Sequence, residues 1–232
     1  MTQDFTGHFM SRMAAERPSI LSRRNLLGKS AVVGGAAALA VVSAPTFRAA
    51  AQDATPAAGG VDPMFMTDVD VLNYALTLEH LETVLYRDAL TTYTAEDMGG
   101  QDVYDRVTEI GGHEAAHVTA LTEAITSLGR TPVAEGTYDF GYTDVATFLA
   151  TAAAIENVGV SAYAGAAPSL VALTMTPALV TAALGIHSVE ARHAAYVTEL
   201  VGDPTMSPFP DAVDAPRTPA EVLEIATPFI TG

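Results

Sequence analysis

His113-Glu114-Ala115-Ala116-His117-Val118-Thr119-Ala120-Leu121 and Val189-Glu190-Ala191-Arg192-His193-Ala194-Ala195-Tyr196-Val197 are the two stretches that decide how this chain folds. Each holds Glu-x-x-His inside an apolar pattern of helical period, which sets glutamate and imidazole one turn apart on one face. Each is preceded by a segment of the same period with one glutamate and, seven residues on, one tyrosine: Glu79 with Tyr86, and Glu156 with Tyr163. Thirty-five residues separate Glu79 from Glu114, and thirty-four separate Glu156 from Glu190. The two halves read as copies of one helix hairpin.

Apolar residues at helical spacing predict four helices, over about 68–92, 101–128, 143–166 and 176–202. The first runs through Val71, Tyr74, Leu78, Leu81, Leu85 and Tyr86, and the second stops at Gly129, a common C-terminal cap residue. The third is expected to end at Pro168, and the fourth opens with Thr176-Pro177, a cap residue followed by proline in the first turn. No stretch alternates long enough to indicate strands. The connections are short within each half, whereas 129–142 is long and contains Pro and Gly. That rhythm predicts an all-α protein, a four-helix bundle over 67–202 built of two hairpins joined by a long crossover. A Pro-rich tail, 203–232, follows, with one short helix opened by the capping box Thr218-x-x-Glu221.

Each helix carries an acid where its own pattern places the core. Glu79 lies between Leu78 and Leu81; Ile110, Glu114, His117, Leu121 and Leu128 form one stripe, as do Phe148, Ala152, Glu156, Val160 and Tyr163. Leu184, His187, Glu190, His193 and Val197 share one broad face. A lone buried carboxylate costs several kcal/mol, and four converging would repel one another. A pair of divalent cations is the least costly way to hold them together.

The same residues admit other readings. His113-Glu114-x-x-His117 also satisfies the H-E-x-x-H pattern of zinc proteases. That reading leaves Glu79, Glu156, Glu190 and His193 buried without purpose and makes the half-to-half symmetry accidental. Glu82, one turn beyond Glu79, competes with it as a ligand, although Tyr86 keeps register with Glu79. His187 has no counterpart in the first half, where Gly111 stands, and reads either as a residue supporting the site or as a core histidine. A bundle that keeps carboxylate–histidine pairs as hydrogen-bonded core groups and binds no metal is a further alternative.

One Glu from each of two helices plus Glu-x-x-His from the other two resembles the ligand set of ferritin-like di-iron and di-manganese bundles. The phrases at 78–86, 113–121 and 189–197 are similar to exported ferritin-like proteins, among them desiccation-related proteins, and the match covers roughly 68–202. The resemblance implies Glu79 and Glu156 as terminal ligands, Glu114 and Glu190 as bridging ligands, and His117 and His193 as one nitrogen ligand per metal. It implies two iron or two manganese ions, with Tyr86 and Tyr163 hydrogen-bonding ligand carboxylates. The activity implied is oxidation of Fe(II) or consumption of peroxide in stress protection; the alternative is a non-catalytic, desiccation-related structural protein.

Composition narrows the partners. Of the chain's 232 residues, 27 are acidic and 11 basic, and none is cysteine, which excludes disulfides, thiolate metal sites and thiol catalysis. Residues 1–51 hold six of the basic side chains against two acids, Asp4 and Glu16, whereas the remainder has five Arg, no Lys and 25 acids. So acidic a domain is a poor partner for duplex nucleic acid. Arg23-Arg24-Asn25-Leu26-Leu27, an Ala/Gly/Val run from Ala31 to Ala44, and Ala49-Ala50-Ala51 resemble a twin-arginine export signal cleaved after Ala51. The expectation is an exported protein with a linker over 52–66, no stable membrane span after cleavage, and a homo-oligomer left open.

Overall fold

The computed structural model describes residues 60–232. The expected export signal and most of the linker lie outside the described residues. Four long helices follow: α1 (Asp68–Thr92), α2 (Gln101–Ser127), α3 (Val145–Leu173) and α4 (Pro177–Val201). Among the described residues there is no strand, only an isolated antiparallel bridge between Tyr138 and Ile230.

Local chemistry explains the helix ends. Thr67 accepts from the Asp70 amide while Asp70 accepts from the Thr67 amide at 2.7 Å, a reciprocal pair that satisfies two amides left open at a helix start. Asp144 and Thr147 cap α3 in the same way. α4 begins with Pro177 and stops at Gly202, whose φ of 66° is the left-handed conformation that glycine adopts without strain.

The expectation that the third helix ends at Pro168 is corrected: α3 runs through Pro168 to Leu173. Proline removes one ladder hydrogen bond, but Ser169 and Leu170 beyond it are buried, and the Thr174 amide closes the final turn on the Leu170 carbonyl. Burial of that last turn outweighs the missing bond. By length and composition α3 could cross a membrane, yet Glu156 near its middle is fully buried within the bundle.

The helices pack as two antiparallel hairpins, α1 against α2 and α3 against α4, joined chiefly through α1 and α3. The crossover between the hairpins is pinned along α1. Asn73 accepts from the Val133 amide, His80 Nε2 lies 3.2 Å from the Val133 carbonyl, and Arg87 makes two bonds to Glu135. Tyr142 ends the run against Tyr93 and Phe148. These contacts climb from the start of α1 to its end, so the crossover traverses the bundle and α3 starts beside the C-terminus of α1.

The tail is part of the fold. α5 (Pro219–Ala226) starts with the expected capping box, Thr218 with Glu221. Arg217 binds Ser161 of α3 through both its guanidinium, at 2.6 Å, and its amide. A Cβ at Gly165 would run into the Arg217 carbonyl, so glycine is what allows the tail to lie this close to α3. Two apolar residues depart from the expected core faces: Leu128 and Leu184 are 37% and 58% exposed. Leu128 lies just past the end of α2, and Leu184 lines a cavity between α3 and α4.

Candidate metal centre

The helical registers that bury leucines also bury glutamates. Glu79, Glu114, Glu156 and Glu190 have no solvent exposure, and His117 and His193 are 2% and 4% exposed. Glu79 comes from α1, Glu114 and His117 from α2, Glu156 from α3, and Glu190 and His193 from α4. Their ligand-type atoms form two groups, each within 4.8 Å: Glu79, Glu114, His117 and Glu190; and Glu114, Glu156, Glu190 and His193. Glu114 and Glu190 belong to both groups, while each remaining Glu and each His belongs to one.

The tyrosines cross between the halves. Tyr86 on α1 donates at 2.5 Å to Glu156 on α3, and Tyr163 on α3 donates at 2.5 Å to Glu79 on α1. Each hydroxyl holds one carboxylate oxygen and leaves the other turned inward. His117 Nδ1 sits 3.0–3.1 Å from oxygens of Glu79, Glu114 and Glu190. His193 Nδ1 approaches Glu114 Oε1 at 2.7 Å and Glu156 Oε2 at 3.6 Å.

Several of these inward atoms have no hydrogen-bond partner. Glu114 Oε1, Glu156 Oε2, both oxygens of Glu190 and His193 Nδ1 are buried and unsatisfied; the short His193–Glu114 approach is not aligned as a hydrogen bond. Buried polar atoms are rarely left this way, because each unmade bond costs roughly 1–3 kcal/mol. Lone pairs from four helices converge on common points, and cations bound by oxygen and one imidazole each would satisfy them. The donor set fits that role.

The electrostatics show how poorly the cluster suits a metal-free interior. Burial opposes ionisation of Glu79, but the adjacent His117 outweighs it and holds the carboxyl below its usual range. His117 is held charged by Glu79, Glu114 and Glu190 against the same penalty of burial. One imidazolium cannot balance the others. Burial and the neighbouring acids push Glu114 and Glu190 up to about 8, and Glu156 well above the carboxylate range. Burial depresses His193 to about 4.

The remaining sequence candidates fall into place around this set. Glu82 is buried but belongs to neither group. Its carboxylate reaches across to α3, where a Cβ on Gly159 would lie 2.8 Å from Glu82 Oε1 and 3.4 Å from Glu190 Oε2. Desolvation and the charges of Glu190 and Glu79 raise Glu82 well above its ordinary value. His187 is also outside both groups; it is half-buried in a cavity of about 90 Å³ between α3 and α4, which Tyr163 also lines. His113 is in neither group. Its Nδ1 lies 2.9 Å from His193 Nε2 on the opposite hairpin. Neither that contact nor the space at Gly159 was read from the sequence, although both occur where the internal repeat breaks. Val189 stands where His113 does, and Gly159 stands where Glu82 does.

No curated protein matches the chain. The family model of the ferritin-like domain matches residues 67–203, which run from the cap of α1 to just past α4. With four helices, two hairpins and a shared carboxylate–histidine cluster in that span, the chain belongs to the ferritin-like domain family.

Proposed function

We propose that this chain is an exported protein holding two iron or two manganese ions, and that it oxidises Fe(II) or consumes peroxide in stress protection. The observation that carries the reading is the convergence of unsatisfied buried atoms from Glu114, Glu156, Glu190 and His193, next to Glu79 and His117. Oxygen-rich donors with one imidazole per position suit iron and manganese better than copper or softer ions. Such a pair supplies two one-electron carriers side by side, the chemistry needed to move electrons from Fe(II) to oxygen or peroxide, or to dismutate peroxide.

In this reading Glu114 and Glu190 belong to both positions and hold them together, while Glu79 with His117 and Glu156 with His193 complete one each. Tyr163 and Tyr86 keep Glu79 and Glu156 from rotating away, the orienting role that outer hydrogen bonds play around metal ligands. The apolar residues Leu78, Leu81, Ile110, Leu121 and Phe148, which share helix stripes with the ligand residues, are themselves buried. Export by the twin-arginine route is compatible with this chemistry, since that route moves proteins already folded, some with a cofactor and some without.

Metal content of the purified protein after loading with Fe(II) or Mn(II) tests the reading. Two ions per chain are expected, with none retained when Glu114 and Glu190 are both changed to Ala. A wild-type protein that stays metal-free, melts at the same temperature with and without chelator, and turns over neither Fe(II) nor peroxide would be the non-catalytic bundle instead.

A further inference from the structure

The two hairpins match at all three pairs of ligand positions, but not at the residue preceding each Glu-x-x-His. Val189 occupies that place in the second hairpin and His113 in the first. His113 lies on the edge of the site, half-buried, with its ring plane within 16° of that of His193 and its Nδ1 2.9 Å from His193 Nε2. His193 is thus engaged at Nε2 by His113, while its Nδ1 faces Glu114 and Glu156 without a hydrogen bond.

A neutral imidazole has one N–H and one lone pair, and the bond made by one nitrogen decides which the other carries. If His113 donated, His193 Nε2 would spend its lone pair there and Nδ1 would carry the hydrogen, closing the atom that faces the carboxylates. If His113 accepts, His193 donates Nε2–H and its Nδ1 lone pair is free for a cation.

We propose that His113 is a positioning residue of the second metal position: its Nδ1 accepts from His193 Nε2–H and thereby presents His193 Nδ1 as the ligand. The inference rests on the di-metal reading above. It also makes the two positions unequal. At the place on the opposite hairpin that matches His113, Val189 offers His117 no side-chain acceptor. The H-E-x-x-H pattern thus serves two positions, His117 facing one and His113 acting on the other through His193.

Mn(II) titration, followed by the electron paramagnetic resonance of the free ion, separates the possibilities when wild type, His113→Leu and His113→Asn are compared. Wild type binds two ions. Leucine has no acceptor, so one of the two steps weakens by roughly 10–100-fold, the range seen on loss of a residue that orients a ligand. The Asn Oδ1 can stand in for Nδ1, so His113→Asn retains both steps close to wild type. Equal binding by His113→Leu and wild type, or equal weakening in both variants, would overturn the assignment. Wild-type protein loaded with diamagnetic Zn(II) gives a check that needs no substitution. Nitrogen-15 spectra should show His193 protonated at Nε2 and His113 unprotonated at Nδ1; a proton on His113 Nδ1 would refute it. Failure of wild type to bind any metal would bring down the di-metal reading and this one together, whereas two unaffected sites in His113→Leu would remove only this one.

Discussion

The two hairpins, α1–α2 and α3–α4, each carry three matching inward donors and one matching tyrosine, yet neither builds a site alone. Tyr86 of the first holds Glu156 of the second, and Tyr163 of the second holds Glu79 of the first. At two places where the hairpins differ, the difference is again resolved across the interface. The first has the additional carboxylate of Glu82, and the second has Gly159 at the matching place, clearing the space into which Glu82 reaches. The first has His113, and the second supplies His193 to meet it. A repeated sequence can diverge while the assembly remains satisfied, provided each change in one half is answered by a neighbour in the other.

The largest expected effect concerns what the halves share. In the metal-free fold Glu114 and Glu190 hold protons up to about pH 8, whereas an unfolded Glu releases its proton near 4.3. Between pH 6.5 and 8 the folded state therefore binds more protons than the unfolded chain, and stability falls as pH rises. His193, depressed to about 4, works in the opposite direction only below about pH 6.5, where an unfolded His gains its proton. Glu79, held low by His117, loses its contribution only at more acid pH. Metal-free protein should melt at lower temperature at pH 8 than at 6.5, and added Fe(II) or Mn(II) should reverse that order because the ligands bind deprotonated. A melting temperature that rises with pH without metal would break the account of the cluster.

Next in size is the Glu82–Gly159 fit. Gly159→Ala should destabilise the fold by about 1–3 kcal/mol by overpacking against Glu82. In a Glu82→Ala background the same change should stabilise by up to about 1 kcal/mol, the ordinary advantage of Ala over Gly inside a helix. Denaturant unfolding of the four proteins measures the coupling, and additive effects would show that Glu82 does not depend on that space.

A finer contrast separates the two tyrosines. Tyr163 donates to Glu79, which is held ionised, whereas Tyr86 donates to Glu156, whose carboxyl is raised. Bonds to charged partners contribute about 1.5–3 kcal/mol and neutral ones about 0.5–1.5. Without metal, Tyr163→Phe should therefore lower stability more than Tyr86→Phe, and equal losses would mean that the two carboxylates share one charge state. The smallest effect belongs to the crossover. Arg87 and Glu135 are 52% and 39% exposed, so Arg87→Ala should cost at most about 1 kcal/mol, and less in high salt.

Much of this was legible before any coordinates. Periodicity located all four helices, and α1 agrees with its predicted span of 68–92. The repeat singled out the six residues that converge. Register with Tyr86 favoured Glu79 over Glu82, and Glu79 is the one found in a ligand-type group. Pro168 misled because local propensity opposes a helix there, and only the packing around Leu170 reverses it. Leu184 misled because the pattern shows which face is apolar, not whether a neighbouring helix is close enough to cover it.

Spacing along the chain by itself determined which side chains share a helix face, because the 3.6-residue period is a local property of the backbone. Four glutamates and two histidines on buried faces already implied a polar interior needing positive charge. Which tyrosine holds which glutamate, that His113 meets His193, that Glu82 lies against Gly159, and that the tail docks through Arg217 were decided only by the tertiary structure. Those contacts join residues far apart in sequence, and no local rule sets the rotation and separation of one helix against another; the packing of α1 and α3 does.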